Sequence, residues 1–585
     1  METGTEKAGW SGAGWARLAI GLVQGVALYA LHRAMEAKAW PATEPALFEA
    51  LVYAWAFIPI LLLGGLGDMR RVTLAVWAVV ATAVAVGLGL HHVLREAPGT
   101  NFQYLHGGAG IFVAAVLFIG HHLVQGADTA RRPIAPYPVY FDAAWKHGVQ
   151  LALAGAFTGV FWLVLLLGAA LFKLIGLDFL EKLIREEWFA VPGTTVAFAA
   201  AVHLTDVKAG VIRGVRTVAL TLLSWLMPLM GLIAVGFLVA LPFTGLKLLW
   251  ATGHAAALVL AAAAVLIILL NAAYQDGADA RTPAVLKWAG RVTALAVAPL
   301  VAIAAYGVWL RVGQYGLTPD RVVASACALV GACYAVGYAM AALKPGAWLK
   351  PLEATNVATA FVAIGVLVAL FTPLADPARI AVADQVRRLE AGKIAPDKFD
   401  YGFLRFDGAR WGRAELERLK AHATGPNAKV ISEKAAEALK LEYRYQRDEQ
   451  RPQFDADRIT VWPKGRTLPD GFVKQAWDAG DGWSPCIQGG DRACDAFFAD
   501  LDADGTEEVL LSPGYQLNVY RFADGRWTKA GDLNAGGCPG VAEALKAGKF
   551  KVAEPKWKDL EVAGQHLRLQ GDGCEPQPEV KAASK

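Results

Sequence analysis

The chain has 585 residues, of which 55% are hydrophobic and 18% are charged. Its mean hydropathy of +0.37 is too high for an ordinary soluble protein, so the composition predicts a membrane protein. A formal net charge of +4 gives no strong basic field, which excludes the usual charge pattern of a nucleic-acid-binding protein.

Apolar windows recur along the first two thirds of the chain. A helix needs about 20 apolar residues to cross the hydrocarbon core of a bilayer. Eleven windows approach that length; the sixth is the weakest because it is short and contains Pro192 and Gly193. The windows are 15–31, 46–66, 72–90, 109–124, 149–172, 188–204, 217–241, 255–273, 292–310, 322–343 and 354–371.

The distribution of Lys and Arg in alternate loops predicts the orientation, because cytoplasmic loops are enriched in them. The richer set has thirteen such residues and the poorer set has nine. The richer set is Arg70, Arg71, Arg131, Arg132, Lys146, Lys208, Arg213, Arg216, Arg281, Lys287, Arg291, Lys344 and Lys350. The poorer set is Arg33, Lys38, Arg95, Lys173, Lys182, Arg185, Lys247, Arg311 and Arg321. Lys7 and Arg17 fall on the richer side, so the N-terminus is predicted to be cytoplasmic.

The predicted fold class is a polytopic α-helical membrane bundle of about eleven transmembrane helices, followed by a soluble α+β domain. The predicted domains are a cytoplasmic N-terminus (1–14), a transmembrane domain (15–373) and an extracytoplasmic, periplasmic domain (374–585) with a β-rich segment at 495–530. Asp376 and Pro377 are a typical helix start. Asp524 and Gly525 predict a hairpin turn.

Four cysteines lie in the C-terminal domain and support its predicted export, because structural disulfides persist in oxidising compartments. The preferred pairs are Cys486 with Cys494 and Cys538 with Cys574. The alternative is a zinc site in a cytosolic domain, although no C-x-x-C spacing is present.

Three segments carry a resemblance to a known family: 137–151 (YPVYFDAAWKHGVQL), 311–321 (RVGQYGLTPDR) and 400–411 (DYGFLRFDGARW). They resemble a family of uncharacterised bacterial inner-membrane proteins, DUF4153. The resemblance implies a multi-pass protein of the bacterial inner membrane. It implies no catalytic residues.

The first of these segments has two interpretations. Asp142 is predicted to cap a short helix at the membrane surface, with Phe141 and Trp145 as interfacial anchors. Alternatively, Asp142, Lys146 and His147 line a cytoplasmic mouth of the bundle.

An acidic loop in the C-terminal domain has carboxylates at alternating positions, Asp500, Asp502 and Asp504, followed by Gly505 and Glu508. These carboxylates, with the backbone carbonyl of Thr506, predict a calcium site. The segment resembles one repeat of the integrin-type calcium-binding β-propeller family, although only one copy occurs. The alternative is an acidic turn whose Asp side chains bond to backbone amides.

The sequence places few ionisable residues near the centres of the predicted spans. Arg17, Glu49 and Glu353 fall at predicted helix ends, where long side chains reach water. Because a coupling site usually needs a titratable group within the membrane, this pattern argues against proton-coupled transport.

Histidines collect at predicted helix ends. They form an outer and an inner group, one at each membrane surface. Imidazole is a common metal ligand, so either group can bind a metal or haem, although histidines at the membrane interface also occur without a ligand. The outer group is His32, His91, His92, His106 and His254, and the inner group is His121, His122, His147 and His203.

Two functions fit these patterns. The first is transport or flipping of a small molecule or lipid through the bundle, favoured by the number of crossings and by Pro59, Pro192, Pro228 and Pro299 inside predicted helices. The alternative is a membrane-anchored envelope sensor or scaffold whose exported domain binds a partner or calcium. An enzyme is disfavoured because no nucleophile, catalytic metal motif or acid pair is identifiable.

Overall fold

The structure is a computed structural model that describes residues 12–96, 107–245, 255–277, 282–441, 454, 456–475, 477, 484, 486–487, 494–514, 516–534, 540–554, 560–562 and 565–567. Of the residues singled out above, Lys7, His106, Lys247, His254, Arg281, Cys538 and Cys574 lie outside these ranges. The chain forms two compact units, Met1–Arg444 and Tyr445–Lys585. Each unit is described by itself.

The first unit contains the membrane helices. Among the described residues, eleven helices are long and apolar enough to cross a membrane, which confirms the predicted polytopic bundle. They are α1 (Gly12–Glu36), α2 (Pro45–Gly65), α3 (Arg71–Arg95), α4 (Gly107–Ala130), α5 (Tyr137–Leu174), α7 (Glu187–Val207), α8 (Ala209–Thr244), α9 (Ala255–Tyr274), α10 (Ala284–Tyr315), α11 (Pro319–Leu343) and α12 (Leu352–Leu370). A short helix, α6 (Phe179–Arg185), lies between α5 and α7.

Two of these helices extend well beyond their apolar windows. Helix α4 continues to Ala130, and α5 already begins at Tyr137, directly after Pro136. Asp142 therefore lies inside α5 and forms an ion pair with Arg216. The prediction that Asp142 caps a short helix is wrong, because Pro136 supplies the helix start one and a half turns earlier.

Helices α1 and α7 pack closely through two glycines spaced four residues apart, Gly21 and Gly25. A Cβ atom on Gly21 would lie 2.7 Å from Ala199 Cβ and 2.8 Å from the backbone oxygen of Thr195. A Cβ on Gly25 would overlap Pro192. Small residues at this spacing let two membrane helices approach at backbone distance.

Four further helices follow α12 in the same unit: α13 (Pro377–Glu390), α14 (Tyr401–Phe406), α15 (Ala409–His422) and α16 (Ala428–Lys440). As predicted, Asp376 caps α13, with Oδ1 accepting the backbone N–H of Ala378 at 2.9 Å. Its Oδ2 accepts from His91 Nε2 at 2.9 Å and lies 3.1 Å from Arg95 Nε. Burial opposes ionisation, but the His91 hydrogen bond and the Arg95 charge lower the pKa of Asp376. The ionised carboxylate therefore connects α13 to the end of α3.

The second unit contains the β-structure expected of the α+β domain. Its sheet has the order β1-β2-β3-β4-β5, with β1 parallel to β2 and the other pairs antiparallel. The strands are β1 (Ile459–Val461), β2 (Cys494–Ala499), β3 (Glu508–Ser512), β4 (Gln516–Ala523) and β5 (Arg526–Asn534), with a separate pair β6 (Leu560–Val562) and β7 (Gln565–Leu567). Short helices α17 (Asp470–Lys474) and α18 (Val541–Lys546) complete the described part.

Two predicted local features are confirmed in this unit. A disulfide joins Cys486 to Cys494, at the start of β2. Asp524 and Gly525 both have positive φ, 51° and 78°, and form the two-residue turn between β4 and β5.

The close contact of α1 with α7 gives a stability prediction. We expect Gly21→Val to destabilise the full-length protein by about 1–3 kcal/mol, because the new side chain meets the backbone of α7. Thermal unfolding of the detergent-solubilised protein measures this. Gly236→Val on α8 is the control, since no atom lies within 4 Å of a Cβ at that position. Equal melting temperatures for the two variants would contradict the packing described above.

Candidate functional site

A cavity of about 520 Å³ lies between helices α2, α4, α5 and α7. Most of its walls are apolar, formed by Phe57, Ile60, Leu61, Gly64, Ala114, Ala115, Leu117, Phe118, Ile119, Leu151, Phe198 and Val202. The polar lining residues are His121, His122, His147 and Gln150.

These polar residues lie at one end of the cavity. Helices α2, α4 and α7 end at the same face of the bundle at which α5 begins. We call it the Asp68 face, after Asp68 in the loop between α2 and α3. His122 lies about 12 Å from the end of α4, and His147 about 15 Å from the start of α5, at 1.5 Å per helical residue. The cavity is therefore apolar away from the Asp68 face and polar towards it.

Three imidazole rings meet at this polar end. The ring centroids of His121 and His122 are 5.6 Å apart, those of His121 and His147 are 5.7 Å apart, and those of His122 and His147 are 5.1 Å apart. All three side chains are buried. The three rings therefore form one polar cluster at this end of the cavity.

Asp68 holds the polar end in place. Its carboxylate accepts hydrogen bonds from Lys146 Nζ at 2.8 and 2.7 Å, from His147 Nε2 at 3.1 Å and from Gln125 Nε2 at 3.3 Å. Burial alone would raise the pKa of Asp68, but the hydrogen bonds from His147 and Lys146 lower it to about 2. Asp68 is therefore ionised at neutral pH, and its charge is balanced within the protein.

A second ion pair continues this network towards α1 and α7. Lys146 Nζ also lies 3.2 Å from Asp206, and Asp206 accepts a hydrogen bond from Arg17 at 2.8 Å. Arg17 contacts His203 Nδ1 at 3.3 Å. Two cations and two anions thus alternate along the Asp68 face.

His121, which lines the cavity, carries a hydrogen-bond donor without a partner among the described residues. Trp77 Nε1 donates to His121 Nδ1 at 3.2 Å, so the proton of the neutral imidazole lies on Nε2. This Nε2 is buried and has no hydrogen-bond partner within the described part of the chain. A Cβ on the neighbouring lining residue Gly64 would lie 3.9 Å from it. A ligand with an acceptor oxygen would satisfy this donor.

The structure changes the assignment of several predicted residues. Three of the inner histidines, His121, His122 and His147, lie inside α4 and α5 rather than at helix ends, because these helices extend beyond their apolar windows. His203 lies near the end of α7, as predicted. Arg17 and Glu49 are buried, so the prediction that they reach water is wrong. Of the proposed mouth residues, Lys146 and His147 belong to the site, whereas Asp142 pairs with Arg216 elsewhere.

Two important site residues, Asp68 and Asp206, were not found from the sequence. Both lie at the boundary of an apolar window, where an acidic residue normally contacts water. The signal in the sequence was the pair Lys146 and His147, just before the predicted window 149–172, since a cation at the edge of a membrane helix is stabilised by a carboxylate partner. The partner's position depends on how the helices pack.

The acidic loop of the second unit brings only part of the predicted calcium set together. Carboxylate oxygens of Asp500, Asp502 and Asp504 lie within 4.8 Å of one another. Thr506 donates its N–H to Asp504 at 2.7 Å. Glu508 is instead buried, with Oε2 accepting the N–H of Leu501 at 2.7 Å, and burial followed by the charge of Asp502 raises its pKa.

Among the described residues, one other group has three ligand atoms at this spacing. It consists of His32, Glu36 and Glu187, at the end of α1 and the start of α7. The cavity histidines do not converge in this way.

Comparison with protein families identifies the membrane region. The family described as Domain of unknown function (DUF4153) matches residues 45–409, which is more than half of the chain. The chain belongs to this family, as the sequence resemblance predicted. The match begins at α2 and includes all four helices of the cavity. Neither a curated protein nor a solved structure matches the chain.

Calcium binding to the acidic loop remains a prediction. We expect millimolar calcium to raise the melting temperature of the second unit within the full-length protein. Binding would contribute about 1.4 kcal/mol when calcium is tenfold above its Kd. Scanning calorimetry with calcium, and separately with magnesium, measures this effect.

Asp502→Asn is the test variant, because an amide oxygen can still accept the Asp504 N–H while the negative charge is lost. Asp524→Asn in the β4–β5 turn is the matched control. A calcium response that survives in Asp502→Asn, or is absent from the unmodified protein, would leave the loop as an acidic turn.

Proposed function

We propose that this member of the DUF4153 family binds an anionic membrane lipid in the cavity between α2, α4, α5 and α7 and moves it between the leaflets of the bilayer. The observation that carries this proposal is the division of the cavity into a long apolar part and a polar end. A lipid has the same division between its acyl chain and its head group.

The position of the exposed lining residues favours a ligand that enters the cavity from the bilayer. Three lining residues, Ile60, Phe118 and Leu151, are exposed by 36%, 37% and 36%. They belong to α2, α4 and α5 and lie within the membrane-spanning segments, so this opening faces lipid. A volume of about 520 Å³ is in the range of small-molecule sites, about 300–1,000 Å³. One acyl chain fits inside while the rest of the lipid stays in the bilayer.

The hydrogen-bonding groups at the polar end favour an anionic head group. His121 offers a buried Nε2–H donor, and Lys146 is a nearby cation. The carboxylate of Asp68 is already occupied by protein donors. The donor that this site offers a ligand is therefore His121 Nε2–H, and phosphate oxygens are strong acceptors for such a donor.

We further propose that the Asp68 face is cytoplasmic in a bacterial inner membrane and that the second unit is periplasmic. Arg70, Arg131, Arg132 and Lys208 lie at or near the helix ends of the Asp68 face, as in cytoplasmic loops. Eleven crossings carry the chain to the opposite side after α12. The Cys486–Cys494 disulfide suits an oxidising compartment.

The lipid proposal predicts that filling the cavity prevents lipid binding. In Gly64→Leu, the new side chain projects into the space beside His121. The full-length protein is placed in liposomes with phosphatidylglycerol that carries a photoactivatable acyl chain, and labelled peptides are identified by mass spectrometry. We expect labelling of α2, α4, α5 or α7 to fall about tenfold, a loss of about 1.4 kcal/mol of binding free energy.

Gly155→Leu is the matched control, because Gly155 is exposed on α5 and no atom lies within 4 Å of a Cβ there. It should label like the unmodified protein. Equal labelling of Gly64→Leu and Gly155→Leu, or labelling confined to other helices, would overturn lipid binding in this cavity.

Movement of the lipid is measured separately in the same liposomes. Fluorescent phosphatidylglycerol is quenched by dithionite only when it reaches the outer leaflet. We expect faster quenching with the unmodified protein than with Gly64→Leu, and a smaller effect on fluorescent phosphatidylcholine. Binding without faster quenching would overturn the transport part of the proposal.

The orientation is tested with reporters fused after Lys585 of the full-length chain. We expect alkaline phosphatase to be active there and a cytoplasm-dependent fluorescent protein to be dark, because an odd number of crossings exports the C-terminus. A bright fluorescent protein and inactive phosphatase would reverse the orientation.

A further inference from the structure

Two imidazoles form a hydrogen-bonded chain that connects the cavity wall with Asp68. His122 Nδ1 lies 2.6 Å from the carbonyl oxygen of Phe118, and His122 Nε2 lies 3.0 Å from His147 Nδ1. His147 Nε2 lies 3.1 Å from Asp68 Oδ2. When Asp68 is ionised, the two ends of the chain, the Phe118 carbonyl and the Asp68 carboxylate, can accept hydrogen bonds but cannot donate them.

The number of protons in this chain follows from its hydrogen bonds. Three bonds need three N–H protons, whereas two neutral imidazoles carry two. Asp68 does not supply the third, because hydrogen bonds from His147 and Lys146 outweigh its burial and lower its pKa to about 2. Completing all three bonds therefore requires one additional proton on the pair His122 and His147, which gives the pair a charge of +1.

The surroundings leave this charge unbalanced inside the protein. The fixed charges nearby cancel, since Asp68 and Asp206 oppose Lys146 and Arg17. The titratable or charged groups around the pair are Asp68 on the α2–α3 loop, His121 on α4, Tyr137, Tyr140 and Lys146 on α5, His203 and Asp206 on α7 and Arg17 on α1.

We infer that lipid binding is coupled to protonation: the shared proton of His122 and His147 binds together with the anionic head group. This inference rests on the proposed function. Both imidazoles line the cavity, so the head group lies beside the proton, and opposite charges favour each other's binding. Because linkage is reciprocal, a bound proton raises lipid affinity by the same factor by which bound lipid raises proton affinity.

The binding step conserves protons and leaves the site neutral. One proton from water joins the pair as the head group binds, and the same proton returns to water when the head group leaves. A head group of charge −1 and a proton of charge +1 make the loaded site neutral. A neutral site lowers the cost of holding the head group within the membrane.

Loss of the proton also changes the wall of the cavity. With only two N–H protons, one of the three contacts must bring two acceptors together: His122 with Phe118, His122 with His147, or His147 with Asp68. The first case lies within α4, the second separates α4 from α5, and the third separates α5 from the α2–α3 loop. In the second and third cases, deprotonation loosens the polar end of the cavity.

The test uses the full-length protein in liposomes and photoactivatable phosphatidylglycerol as the probe. We expect labelling of the cavity helices to fall about tenfold between about pH 6 and about pH 8, the range in which histidines titrate. In Asp68→Asn, the amide can donate to His147 Nε2, so all three bonds form without the additional proton. Labelling of this variant should not depend on pH.

His147→Asn is a second variant that cannot hold the shared proton. His203→Gln is the control, because His203 is buried and contacts Arg17 but does not line the cavity. The labelling of this control should depend on pH as that of the unmodified protein does. The pH dependence of the unmodified protein is itself a test that needs no variant to fold.

The outcomes separate the two proposals. Constant labelling of the unmodified protein over this pH range would overturn the proton coupling and leave lipid binding in place. A pH dependence that persists in Asp68→Asn and His147→Asn would overturn the assignment to this chain. No cavity labelling at any pH would overturn both the coupling and the proposed function.

Discussion

The half-buried charge of Asp68 is the constraint on which the first unit depends most. A carboxylate partly removed from water needs close donors and an opposite charge, and Asp68 obtains them from α4 through Gln125 and from α5 through Lys146 and His147. Lys146 extends the contact to Asp206 on α7. One loop residue thus fixes the relative positions of the helices that end at this face.

This constraint acts at one end of the bundle only, and the packing elsewhere is uneven. Gly21 and Gly25 let α1 and α7 approach until no side chain fits between their backbones. Between α2, α4 and α5, by contrast, the bulky side chains do not fill the space, and a cavity remains. The charged network joins these helices at the Asp68 face, and the polar lining residues lie at that end. The apolar wall includes Ile60, Phe118 and Leu151, which are partly exposed on the membrane helices.

The segments that first suggested the family contribute unequally to these features. Segment 137–151 supplies Lys146, His147 and Gln150 to the cavity end. Segment 311–321 instead supports α13, where Asp384 accepts the N–H of Leu317 at 2.9 Å. Of the three segments, 137–151 therefore belongs to the candidate site, and 311–321 joins the membrane helices to the helices that follow them.

The sequence by itself determined the number of membrane helices, the disulfide partner of Cys486 and the turn at Asp524 and Gly525. Each depends on local information: apolar length, short separation along the chain, and residues that accept positive φ. The cavity and the hydrogen-bonded chain of His122, His147 and Asp68 were decided only by the tertiary structure. His122 and His147 lie on different helices, and their charge partner Asp68 comes from a third segment. No pattern along the chain specifies those distances, because they result from how the helices pack.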